Sequence, residues 1–269
     1  MLPFGEGAVS QQAMKRIVMG IGGFIVLVVM AFGSVMGMTF SGLKTMPDGQ
    51  ELPGGARRIV NGFTSAYLLP MGEKEFALID CTDDAEAKAI KAELQRRGLG
   101  VEAVKAIFVT HGHPDHLAGC KQFPGAQVFI GDGEQALVEG TAASKGPLPG
   151  MMGAQPQLAI KGARALKDGE AVEVGTLKVR AFVIPGHTAG SAAFLAGGAL
   201  YMGDSLTMNA DDTVRAAPWV FSDDRSINVA SIKRLGKLLA PEAAEVKAIV
   251  PSHSGSVDSL KPLVDYAGS

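Results

Sequence analysis

The stretch Thr110-His111-Gly112-His113-Pro114-Asp115-His116 holds three of the chain's five histidines within six residues. The run before it, Val104 to Thr110, is rich in branched and apolar residues and reads as a buried strand that delivers the chain to His111. A strand that ends in such a loop aims alternate side chains at one point. His111 and His113 then share one metal ion, while Asp115 and His116, further along, face a second. Histidine is the commonest metal ligand, and neutral imidazole suits zinc. Pro114 stiffens the bend, and Gly112 allows close backbone packing.

The remaining two histidines sit in the same kind of place. His187 follows Val183-Ile184-Pro185-Gly186, and His253 follows Ile249-Val250-Pro251-Ser252. Asp204 follows Leu200-Tyr201-Met202-Gly203 in the same manner. A lone histidine is usually structural. Every histidine of a chain placed at a strand end, with two aspartates, is a different pattern and points to one shared edge.

Working outward, strands are expected at Arg57 to Val60, Thr64 to Leu69, Glu75 to Asp80 and Gln127 to Ile130. Glu170 to Ile184 holds two more around Gly175. A hairpin joins Ser191–Leu195 to Ala199–Met202, and a last strand runs from Lys247 to Val250. Helices are expected over Asp83 to Arg97, capped by Asp83 or Asp84 and ended by Gly98, and over Ser226 to Leu239. Strands and helices mixed in this way need sheet packed against helices.

Lys15 and Arg16 precede Ile17 to Phe40, 24 residues without a charge. About 20 apolar residues cross a bilayer as a helix, whereas the apolar core of a cleavable signal has only about 7–15. The organisation expected is therefore a short N-terminal tail (1–16), a transmembrane anchor (17–40), a linker rich in glycine and proline (41–56) and a globular domain (57–269). The lipid bilayer is a partner through residues 17–40. The expected topology is single-pass with the domain outside the cytoplasmic membrane, although the positive-inside bias is weak; the alternative is secretion after signal cleavage. Net charge is −2 and no block of like charge stands out, so nucleic acid is not an expected partner. Two cysteines, Cys81 and Cys120, are too few for a disulfide scaffold. Spacing does not decide whether they pair, and two buried free thiols are expected.

His111-x-His113-x-Asp115-His116 resembles the defining motif of the metallo-β-lactamase superfamily. Gly186-His187-Thr188-Ala189-Gly190-Ser191 resembles its second metal-binding segment, Tyr201-Met202-Gly203-Asp204-Ser205 the segment with the bridging aspartate, and Pro251-Ser252-His253-Ser254-Gly255 the last histidine segment. With Asn61 and Asp80 the resemblance runs from about residue 57 to the C-terminus. It implies an α/β fold, a four-layer αβ/βα sandwich with metals at one edge of two sheets. It also implies that His111, His113 and His187 hold one metal, that Asp115, His116 and His253 hold another, and that Asp204 bridges them. Two divalent ions are implied, zinc first, with iron or manganese as alternatives.

The set is similar to glyoxalase II-like hydrolases. It departs from the broad-spectrum zinc β-lactamases, which carry a cysteine near the Asp204 position, and this weakens a β-lactamase reading. His113, where an acid would stand, argues against the flavodiiron branch. The expected reaction is hydrolysis of an ester, thioester, lactone or amide in a small-molecule substrate by a metal-bridging hydroxide, with Asp115 and Asp204 as the catalytic carboxylates. The alternatives are a mononuclear-iron persulfide dioxygenase of the same superfamily and a metal-binding, non-catalytic domain. Asp80 either orients a group of the metal loop or caps the following helix. Substrate contacts are expected from the irregular stretches 141–160 and 206–225, with Trp219, Met208 and Phe221 as candidate pocket residues.

The full chain is expected to sediment with membranes and to resist carbonate extraction, and a version beginning near residue 55 to be soluble. A mature soluble form that begins after residue 35 would instead identify a cleaved signal.

Overall fold

The computed structural model describes residues 11–269, so part of the tail expected over residues 1–16 lies outside the described residues. The chain divides into two compact units, residues 1–42 and 43–269. The first contains helix α1 (Gln11–Phe40), which begins inside the expected tail. Its stretch Val18–Phe40 is long and apolar enough to cross a membrane, and none of the window is buried by protein. An isolated helix with no polar face has no stable partner in water.

The second unit is built on two sheets. The first contains β1 (Glu51–Leu52), β2 (Ala56–Asn61), β3 (Thr64–Pro70), β4 (Phe76–Ile79), β5 (Val104–Val109), β6 (Gln127–Gly131) and β7 (Arg164–Leu166), neighbours in that order. The second runs β14-β11-β10-β9-β8, from β8 (Ala171–Val174), β9 (Leu177–Val183), β10 (Ala192–Ala196), β11 (Ala199–Gly203) and β14 (Ala248–Pro251). A small hairpin, β12 (Leu206–Met208) with β13 (Val214–Ala216), follows β11. Helix α2 (Lys88–Arg96) covers the outer face of the first sheet, and α6 (Arg225–Leu239) with α7 (Lys261–Gly268) covers that of the second.

Alternation along the strands makes the layers. In β5, Ala106 and Phe108 enter the core between the sheets, while Ile107 and Val109 face the α2 layer. In β11, Ala199 and Tyr201 face inward, and Leu200 and Met202 face α6. Strands buried on both faces read as continuous apolar runs, which is what these sequences are. β11 and β14 are parallel, as are β4 and β5, so their C-terminal ends open toward loops on the same edge of each sheet.

Four expectations are corrected. Residues 41–56 are not a free linker: from Leu43 the chain belongs to the domain. Leu43 bridges to Asn209, Lys44 N–H donates to Met208 O (2.9 Å), and Gly255 N–H donates to Lys44 O (2.8 Å). The glycines that suggest a linker serve turns instead, Gly49 and Gly54 at φ 72° and 75°. A soluble version is therefore cut before Leu43, not near residue 55. The helix expected from Asp83 starts at Lys88, because Asp84 accepts the N–H groups of Glu86 and Lys88 and residues 83–87 form a turn. Met208, expected in the substrate pocket, is instead fully buried in the core beneath α6. The cysteines are not free: Cys81 and Cys120 form a disulfide, with Cα atoms 5.2 Å apart. Cys81 N–H donates to His116 O (2.9 Å), which brings the two segments together across 39 residues of sequence.

Closing a loop of that length restricts the unfolded chain. Reduction, or the double substitution C81S/C120S, is expected to lower stability by about 2–4 kcal/mol. Denaturation midpoints with and without reductant check this, and an unchanged midpoint would show that the thiols are not joined.

Candidate metal centre

The five histidines and two aspartates named from the sequence converge as two donor groups, His111 with His113 and His187, and Asp115 with His116, Asp204 and His253. β5 delivers His111 and His113, and Pro114 opens the single helical turn α3 (Pro114–Leu117), which swings Asp115 and His116 inward. β11 ends at Gly203, where a positive φ of 53° and contact with Thr110 leave no room for a Cβ, and Asp204 follows. β14 ends two residues before His253.

In the first group, His111 Nε2 lies 3.0 Å from His113 Nδ1, and His187 Nε2 lies 3.1 Å from each. All three rings are buried. In the second group, Asp204 Oδ2 lies 2.9 Å and Asp115 Oδ2 3.2 Å from His253 Nε2, and Asp204 Oδ1 is 3.2 Å from His116 Nε2. The same Asp204 Oδ2 is 3.7 Å from His187 Nε2 and 3.9 Å from His111 Nε2, so this carboxylate faces both groups. Asp115, Asp204 and His253 retain 22%, 13% and 10% of their side-chain exposure, so solvent reaches the centre from their side.

The outer ring nitrogens fix which atoms point inward. His111 Nδ1 meets Thr110 Oγ1 (3.1 Å), and that hydroxyl donates to Asp80. His187 Nδ1 meets Ser222 Oγ (3.2 Å), which donates to Pro218 O. His116 Nδ1 meets Asp80 Oδ2 (2.8 Å), and His253 Nδ1 meets Phe63 O (2.7 Å). Each partner takes an Nδ1 proton, so the Nε2 atoms of four rings face the centre, and those of His111 and His187 present lone pairs. Lone pairs this close repel unless a cation lies among them. Imidazoles around tetrahedral zinc, at about 2.0–2.1 Å each, hold their nitrogens at a similar spacing. His116 Nε2 and Asp204 Oδ1 are also buried without an aligned hydrogen-bond partner. The donors present fit divalent metal.

Electrostatics divides the two groups. Burial, reinforced by the neighbouring rings, holds His111 well below the usual histidine value. Burial takes His187 down to about 3 and lowers His113 as well. These rings are neutral, as ligands must be. Burial opposes charge at His253 and His116 too, but the carboxylates win. Asp204 and Asp115 push His253 up to about 10, and Asp204, Asp115 and Asp80 hold His116 well above its usual value. Asp204 is held well below the usual carboxylate range, against its burial, by His253 and His116. In the metal-free chain, protons on these two rings stand in for a cation.

Asp80 bonds the loop that carries His111 and His116 and makes no bond to the start of α2. Its carboxylate accepts Thr110 N–H (2.7 Å), the Thr110 hydroxyl (2.8 Å) and the His116 ring, while Asp84 does the capping. Asp80 adopts φ 56°, a left-handed conformation that aspartate tolerates better than most residues. Trp219 is 58% exposed, in the turn Trp219–Phe221 that packs against α5 (Pro147–Met151). The cleft beside His113 is lined by Pro114, Leu137, Pro149 and Met152. Phe63, exposed and stacked on His253 at 5.5 Å, escapes sequence reasoning. So does buried Glu134, whose only signal is an acid just after a strand.

A family model described as the metallo-beta-lactamase superfamily matches residues 59–253. A hydroxyacylglutathione hydrolase of Gloeobacter violaceus is 29% identical over 153 residues, covering 55% of this chain and 51% of that one. The corresponding protein of Brucella ovis is 31% identical over 150 residues, 56% and 48% of the two chains. This chain spans about half the length of the curated relatives it matches. Among solved structures, a B3 metallo-beta-lactamase with an active-site glutamic acid is similar with a TM-score of 0.62 at 20% identity, over 87% of this chain and 90% of that one, a likeness of fold.

Since His116 and His253 hold protons in the metal-free chain, a cation entering their group must displace them. Affinity there is expected to rise with pH up to about 10 and to fall on acidification, with protons released near neutrality. Calorimetric titration of zinc in buffers of different ionisation heat reads the release directly. Binding without it would show that these rings are neutral beforehand.

Proposed function

The chain belongs to the metallo-β-lactamase superfamily, and from that premise we propose that it is a membrane-anchored hydrolase with two divalent ions, zinc first, that cleaves an acyl bond. A thioester is the leading substrate bond; esters, lactones and amides share the same chemistry. The observation that carries this reading is the pair of complete donor groups with Asp204 facing both. His111, His113 and His187 would hold one ion, Asp115, His116 and His253 the other, with Asp204 common to the two. A centre with a single iron would leave the second group without a task.

When bound, two divalent ions supply a nucleophile from water near neutral pH and polarise the acyl oxygen. The chain's own residues do the rest. Asp80 and Ser222 hold the ring orientations of His116 and His187. Asp115 and Asp204 offset the positive charge, and their partial exposure leaves the approach for substrate on that side. Phe63 and the apolar cleft beside His113 offer contacts to an acyl group. The names of the relatives, of whose length this chain spans about half, favour a thioester, since a hydroxyacylglutathione is one.

Anchoring through Val18–Phe40 is supported by that helix's length and apolar surface. The Cys81–Cys120 disulfide supports an oxidising, extracytoplasmic setting for the domain.

The test is a panel of acyl-glutathione thioesters, lactones and β-lactams, assayed with the full chain in detergent. Thioester cleavage that chelators abolish and zinc restores is expected. Asp204→Ala is expected to fold and to lose about 100-fold or more in turnover, the scale of a lost electrostatic partner in a dry site. Near-normal turnover with both metals retained would sink the shared-carboxylate site.

A further inference from the structure

Glu134 follows β6 and lies outside both donor groups. Its side chain is 1% exposed. One oxygen, Oε1, accepts the N–H of Gly112 at 2.6 Å. The other, Oε2, accepts the N–H of Gly190 at 2.7 Å and the hydroxyl of Thr188 at 3.0 Å. Gly112 stands between His111 and His113, Thr188 next to His187, and Gly190 two residues further on. One carboxylate thus spans the two loops that carry the three-histidine group. No cationic side chain pairs with Glu134 among the described residues, so its acceptors are committed to these loops.

The surrounding backbone is shaped for this contact. A Cβ on Gly190 would lie 2.3 Å from Glu134 N, and one on Gly112 would lie 2.7 Å from the Leu137 side chain. Both glycines let the loops close onto the acid. The arrangement has a physical purpose: three imidazole nitrogens at 3.0–3.1 Å repel in the metal-free chain and would push the loops apart. Asp80 restrains the loop around Thr110 and His116, but it makes no bond to the loop of His187.

We propose that Glu134 is a positioning residue that clamps the Gly112 loop to the Thr188–Gly190 loop and so holds His111, His113 and His187 at the spacing of a single metal ion. This rests on the reading of those histidines as one metal site. Two acceptors at a fixed separation are required. Glutamine keeps the shape but turns an NH2 toward N–H or O–H donors on one side, leaving a buried donor unpaired. Aspartate keeps the carboxyl group but is one methylene too short to reach both loops.

The experiment uses the full chain in detergent, with cobalt(II) as the probe. Glu134→Gln and Glu134→Asp are each expected to weaken cobalt binding at the three-histidine group by about 10–100-fold, the scale of lost support around metal ligands. The group of Asp115, His116 and His253 should keep its ion, so the visible absorption loses one component and retains the other. In the metal-free chain, the amide proton resonances of Gly112 and Gly190 are expected to move upfield in Glu134→Gln, a readout independent of catalysis. Wild-type affinity in Glu134→Asp would overturn the clamp, because a carboxyl group without span would then suffice. Unchanged cobalt affinity in Glu134→Gln would overturn it too, as would equal weakening of both groups. A wild-type chain that takes up no cobalt, yet shows the amide shifts on substitution, would overturn the metal reading beneath the proposal.

Discussion

Five imidazoles and two carboxylates held within a few ångströms cannot sit together unless their lone pairs and charges are compensated. Three nitrogens at 3.0–3.1 Å and an aspartate shared between groups make a cradle for cations, and the rest of the domain holds that cradle in place. Proton donors on the outer side of the rings, taken up by Thr110, Asp80, Ser222 and Phe63 O, leave the inner nitrogens no alternative role. Where carboxylates are dense, in the group of His116 and His253, protons take the cation's place. Around His187, burial and the neighbouring rings outweigh the more distant Asp204, and the rings stay neutral.

The two sheets explain how so many donors reach one point. β5 lies in the first sheet and β11 and β14 in the second, and each strand is apolar on both faces because each sheet is covered twice. Polar residues are tolerated only where such strands end, so the chemistry collects along one edge. The loops at that edge are bound to the scaffold behind them. Asp80 ties the end of β4 to His116, the Cys81–Cys120 disulfide fastens the same two segments, and the Lys44 backbone binds Met208 and Gly255 near His253. An edge site needs such supports, because it adds little apolar burial of its own and carries much buried charge.

The strap formed by residues 43–56 has a further meaning for the domain. It follows the apolar helix in sequence, contains the first strand of the larger sheet and ends where the second begins, so from Leu43 onward the chain is itself part of the fold. Glycine and proline in that stretch look like a linker because turns and linkers use the same residues. Only the partners of the backbone groups tell them apart.

The sequence by itself determined the donor types, their places at strand ends, the apolar segment before the domain and most strands of both sheets. These are local properties: apolar alternation, turn residues and a histidine motif are all written within ten residues of one another. Tertiary structure decided what depends on neighbours distant in the chain. Cys81 meets Cys120 because His116 O binds the Cys81 amide. Asp80 meets His116, while Asp84 binds the N–H groups that lead into α2. Met208 is buried because its hairpin lies under α6, and Glu134 joins two loops whose sequences carry no mark of it. Short-range patterns select which elements form. Which side chain reaches which partner is fixed only when the layers pack, since a contact between remote residues leaves no periodic signal in either.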